Sequence, residues 1–130
     1  MSIVEQLARF LAGKLALPFE DCGAGASVFF GWMPEAPVRA VCVLADGLRP
    51  DGDAGGSRVQ VLIRAGTDGG WALERAAEIL SLLDGARDLM LVPEGAVLSR
   101  AEVERGFRFS GLAGNNTQFY AAEFVIFACQ

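Results

Sequence analysis

The stretch RVQVLIRAGTDGGWALERAAEILSLL, residues 58–83, carries two hydrophobic periods in succession. Val59, Val61 and Ile63 alternate with Gln60, Leu62 and Arg64, a period of two that sends neighbouring side chains to opposite faces of a strand. Ala72, Ala76, Ile79 and Leu83 then recur at helical spacing, with Leu73 and Leu80 beside them. Between the two runs, Ala65 to Gly70 supplies three glycines for a reversal and Asp68 as a helix cap. The stretch therefore predicts a strand, a tight turn and an amphipathic helix folding back over a sheet. It holds no catalytic group, which directs attention to scaffold and assembly functions.

Working outward, Ser2-Ile3-Val4-Glu5 has the form of a capping box, in which the Ser2 hydroxyl accepts from the Glu5 amide and the Glu5 carboxylate reaches back. Ile3, Leu7, Phe10, Leu11 and Lys14 trace one stripe of the helix that follows, and Pro18 is expected to end it. Residues 22–26 form a loop. Ser27 to Met33 reads as an aromatic-rich strand halted by Pro34 and Pro37. Arg39 to Ala45 is apolar on both faces, as a central strand would be. Asp46 to Ser57, rich in Gly and Asp, is expected to be a flexible loop, since a stretch this long and polar has no means of packing. Past the helix, Asp84-Gly85 offers a stop signal. Leu89 to Val92 is a short apolar run, and Ala96 to Gly106 fits neither period. Phe107 to Leu112 and Thr117 to Cys129 predict a hairpin turning at residues 113–116. In its last strand Glu123 is the one charge on a face otherwise made of Phe119, Ala121, Val125, Phe127 and Cys129.

The 130 residues suit one domain. Their apolar share, 52% before glycine is counted, exceeds what a core of this size requires. Either both faces of the sheet are covered or part of the excess is buried against other chains, and two readable helices favour the second. Net charge is −5, with 16 acidic and 11 basic side chains, and Lys14 is the one lysine. Scattered arginines in an acidic chain disfavour a nucleic-acid grip, although DNA can pass such a surface without adhering. The chain has no histidine, and Cys22, Cys42 and Cys129 lie far apart. A zinc site and a disulfide framework are therefore not expected, and the cysteines read as reduced core residues. No signal peptide and no membrane span are expected.

Other chemical signals are weak. Asp51-Gly52-Asp53 opens like a calcium loop, but Leu62 stands where the closing glutamate would be needed. Gly23-Ala24-Gly25 lacks the third glycine of a dinucleotide fingerprint. Without histidine there is no Ser/His/Asp or Cys/His nucleophile. Glu20 with Asp21, and Glu102 with Glu104, read as solvated surface rather than acid/base pairs. Trp32 and Trp71 read first as core packing and alternatively as interface anchors. Arg64 either reaches solvent along its stem or pairs with a carboxylate of another subunit.

The order of parts has a further meaning. An N-terminal helix precedes Phe30-Gly31-Trp32-Met33-Pro34; a strand and a Gly/Asp loop lead to Val59-Gln60-Val61-Leu62-Ile63-Arg64; the alanine-rich helix follows, and the chain closes on Phe119-Tyr120-Ala121-Ala122-Glu123-Phe124. This resembles the tail terminator (tail completion, or minor capsid) proteins of long-tailed phages and prophages, over nearly the whole chain. Glu123 stands where such proteins often carry Asn. The resemblance implies a single α+β domain spanning 1–130, with N-terminal and central helices packed on a mixed, mainly antiparallel sheet. It also implies a virion protein, assembled in the bacterial cytoplasm, that forms a ring, usually a hexamer. That ring caps the tail tube, stops its polymerisation and meets the head connector, while DNA slides through its lumen. No cofactor and no catalysis are expected. Arg49, Asp51, Asp53, Gln60, Arg64, Phe119 and Glu123 are the candidate contacts to neighbouring subunits or partners. The competing readings are another phage neck or tail subunit, which would tend toward a barrel or sandwich, and a small α+β ligand-binding or regulatory module.

Overall fold

In the computed structural model, which describes residues 1–46 and 56–129, the first strand of the 58–83 stretch starts earlier than its alternation does. It runs from Gly56 to Gly66, so Gly56 and Ser57 belong to the sheet rather than to the expected loop. Gly56 lies opposite Phe127, and a Cβ there would sit 2.8 Å from the Phe127 ring, so a larger residue would force that ring to shift. The rest of the loop lies outside the described residues.

In chain order the elements are α1 (Ile3–Leu15), β1 (Ala26–Phe30), β2 (Arg39–Ala45), β3 (Gly56–Gly66), α2 (Gly69–Leu83), β4 (Arg87–Met90), β5 (Val97–Ala113) and β6 (Thr117–Cys129). One six-stranded sheet has the order β1-β2-β3-β6-β5-β4. The β1–β2 pair is parallel and the other four pairs are antiparallel. The fold is α+β, as expected. The segment 96–106, which fits neither period, is the first half of β5, and the hairpin is correspondingly longer than its two ends suggest.

Both helices lie on one face. Leu7 and Leu11 of α1, Ala72, Ala76, Ile79 and Leu83 of α2, and Val28, Val41, Val43, Val59, Val61, Ile63, Phe124 and Ile126 of the sheet form one continuous core. Burying a Val, Ile or Leu side chain in this way contributes about 1.5–3 kcal/mol, so the alternation of β3 and the stripe of α2 account for each other. Asp68 caps α2, its carboxylate accepting from the Trp71 amide at 3.0 Å. Gly66 makes the preceding turn with φ of +61°, close against the Val38 side chain.

Half of the predicted capping box forms at α1. Ser2 Oγ accepts from the Glu5 amide at 3.1 Å, but the Glu5 carboxylate turns to Arg9 at 3.0 Å, one helical turn away, because an ion pair on the helix surface is the nearer alternative. The helix stops before Pro18 has any effect. Ala16 adopts the left-handed conformation, with its amide donating to Gly13 O and the Leu17 amide to Ala12 O, a Schellman closure built on alanine.

The second face is covered differently. β1 ends at Phe30 instead of Met33, because Gly31 turns the chain with φ of +79°. Residues 31–38 then cross back over this face to begin β2. Met33 packs there on Phe29, Ala40 and Cys42. This crossover leaves Trp32 67% exposed, so core packing does not hold for it; Trp71 is half-buried against the core. Cys42 is buried as expected, whereas Cys22 lies exposed in the loop before β1. No described helix is long and apolar enough to cross a membrane.

Candidate functional site

The face opposite the helices gathers four of the seven predicted contact residues. In the β3–β6 register Gln60 lies across from Glu123 and Arg64 across from Phe119. The strands thus set two cross-strand pairs on one surface, through the same alternation that buries Val59, Val61 and Ile63 on the other. Arg49, Asp51 and Asp53 lie outside the described residues, as does the calcium-like Asp51-Gly52-Asp53.

Glu123 is 8% exposed, yet its charge is satisfied within the chain. Arg108 on β5 grips it in a two-pronged hydrogen bond, Nη1 to Oε2 at 3.0 Å and Nη2 to Oε1 at 2.9 Å, and Arg105 approaches to 3.8 Å. This planar fork is the arrangement that best matches a carboxylate. The hydrogen bond to Glu123 pushes the Arg108 guanidinium further toward its charged form. The Arg58–Glu104 ion pair, 3.0 Å, crosses the sheet in the same region. Glu123 stands out in the sequence as an isolated charge, but its partner does not, since irregular pairing along β5 separates Arg105 and Arg108 from simple alternation.

Arg64 is also committed inside the chain. Its Nε donates to Val38 O at 2.9 Å, and Nη2 to Pro34 O at 2.7 Å and to Pro37 O. A guanidinium presents several donors in a rigid fork, and here three of the crossover's carbonyl oxygens take them up. Within the chain, the Arg64 head forms a clasp that fixes residues 34–38 to the sheet rather than simply reaching solvent. Burial lowers the Arg64 pKa, and burial pushes the neighbouring Cys42 thiol up to about 12.

Between this clasp and the hairpin end lies an open recess of about 380 Å³, with Val38, Arg64 and Phe119 on its walls and Glu35 and Asn115 at its edge. It contains no nucleophile–base pair. Among the described residues no three His, Cys, Asp or Glu side chains converge as a metal site would require. What the surface does offer is apolar exposure on both sides of the sheet. Trp32 and Val38 project from the crossover, Leu73 from α2, and Phe109 and Leu112 from the β5 arm of the hairpin. Phe109 stands edge-on to Tyr120 at 5.8 Å, and Tyr120 in turn lies beside Gly69 at the start of α2. No protein-family model and no curated protein matches this chain.

Proposed function

We propose that this chain is an architectural subunit of a long-tailed phage or prophage particle, a tail terminator that assembles as a ring on the tail tube and meets the head connector. The observation that carries the reading is the arrangement of elements. Two helices, one N-terminal and one following the Val59–Arg64 strand, lie on one face of a mixed sheet closed by a long C-terminal hairpin. This is the layout that the order of sequence motifs implies for such proteins, whereas tube and connector subunits tend toward barrels or sandwiches. Large apolar side chains exposed on both sides of the sheet suit a subunit with neighbours. A head-to-tail contact of that kind closes into a ring when its rotation allows.

The test is genetic and structural together. Removing the gene from a particle-producing host is expected to yield overlong tails without heads, and the purified chain should restore joining by binding tube ends. Normal tail length and intact particles in the deletion strain would refute the reading.

A further inference from the structure

We infer that the subunit–subunit contact is made by Trp32 of one copy entering the groove between α1 and α2 of the next. The inference rests on the ring reading and specifies the surfaces that would build it. Trp32 is 67% exposed, yet the chain on either side of it is fixed. The Gly31 amide is bonded to Val43 O at 3.0 Å, Met33 packs on the sheet, and Arg64 holds the carbonyls of Pro34, Pro37 and Val38. A rigidly mounted indole loses little freedom on binding, which is the property that makes tryptophan an interface anchor.

The receiving groove lies on the opposite side of the sheet. It is an open depression of about 400 Å³ lined by Lys14 of α1 and by Ala77, Glu78, Ser81 and Leu82 of α2. Ala77, Ser81 and Leu82 provide a shallow, largely uncharged floor for a ring. Charge supplies the match. Glu78 shares Arg75 with Glu74, at 2.8 and 3.3 Å, and Lys14 is the rim charge without an ion pair among the described residues. Glu35, three residues from Trp32, is exposed and likewise has no ion pair among them. With Trp32 seated, Glu35 of one copy can meet Lys14 of the next. Because donor and acceptor lie on opposite faces, a pair of copies retains one free Trp32 and one free groove. The contact is heterologous and propagates, as ring assembly requires.

The experiment is sedimentation velocity on the purified full chain across a concentration series, with five variants. The native chain is expected to self-associate; a monomer at about 1 mM would overturn the proposal, even if deletion of the gene still gave overlong tails. Trp32→Ala should weaken association about 30-fold or more, the loss expected of an anchor residue. Lys14→Glu and Glu35→Lys should each weaken it about five-fold, and the double reversal should restore it. Both charges are exposed, so folding is not at stake. Failure of that rescue would overturn the pairing. Finally, Trp32→Ala chains mixed with Ala77→Arg chains should form one-to-one dimers and nothing larger, since only one intact contact remains. A mixture that stays monomeric, or one that forms rings, would also overturn it.

Discussion

Replacing Gln6 by Leu isolates one buried hydrogen bond that joins the first helix to the far end of the sheet. Gln6 is 4% exposed and its side chain spans two segments. Its Oε1 accepts from the Ala96 amide at 2.7 Å, and its Nε2 donates to Met1 O at 3.1 Å. The turn at residues 92–95 is moulded to it: a Cβ on Gly95 would come within 2.5 Å of Gln6 Oε1. Leucine fills nearly the same volume, so the core is not emptied. The exposed Met1 carbonyl finds water, but the buried Ala96 N–H is left without an acceptor, at a cost of about 1–3 kcal/mol. Partial compensation from the added apolar surface leaves a net loss of about 1–2 kcal/mol. Gln6→Ala should lose more, since it also leaves a cavity. Equilibrium urea unfolding measures both, with an unchanged m-value expected, and amide exchange at Ala96 should accelerate in each variant. A Gln6→Leu protein as stable as the original, with the Ala96 amide still protected, would refute the reasoning.

Three further outcomes are expected. Ala16→Gly should raise stability by about 0.5 kcal/mol in urea titration, because Ala16 sits at φ 55° and ψ 42°, where a Cβ is strained; a loss of stability would count against the Schellman assignment. Cys42, with its thiol pushed up to about 12, should resist iodoacetamide at pH 8 while exposed Cys22 reacts. Its folded pKa is raised above the unfolded value of 9.0, so the stability that the buried neutral thiol contributes is fully present below pH 9 and is lost from pH 9 toward 12 as the unfolded thiol ionises first; Cys42→Ala should flatten that decline in pH-dependent unfolding. Arg108→Gln should lower the melting temperature more than Arg105→Gln, since Arg108 holds Glu123 at 2.9 Å and Arg105 stands at 3.8 Å; equal losses would show that the two-pronged grip does not matter.

The parts of the fold legible in the sequence are those with an undisturbed period. α2, β6 and the stretch of β3 from Val59 to Arg64 each keep one spacing, so their buried faces can be read directly. β5 cannot be read in this way, and the reason is geometric. Its pairing with β6 shifts between Leu98 and Arg100, Val103 and Arg105, Arg105 and Arg108, and Phe109 and Gly111. Each extra residue reverses the phase of the alternation, so the strand looks patternless although it is 17 residues long. The crossover 31–38 is illegible for another reason: its path is fixed by Arg64, a residue 26 or more positions away. Gln6 left a signal that reasoning on apolar spacing passes over. It stands at i+3 from Ile3 and i−4 from Phe10, inside the stripe that α1 buries, and a polar residue at such a position implies a buried partner.

These long-range pairings also change which residues have charge to offer a neighbour. An isolated Glu123 and a free Arg64 would make the open face of the sheet a charged docking surface. With Glu123 paired to Arg108, and the Arg64 donors taken up by three carbonyl oxygens, the hydrogen-bonding groups at both positions are committed within the chain, although carbonyl oxygens leave the Arg64 charge itself un-neutralised. Breaking those bonds to make intermolecular ones would leave a buried carboxylate or unsatisfied carbonyls behind, a cost that the new contact would first have to offset. Contacts requiring no such exchange are therefore favoured. They belong to side chains already exposed and without partners among the described residues, and Trp32 has the largest aromatic surface among them. Arg64 holds residues 34–38, the backbone that follows the exposed indole.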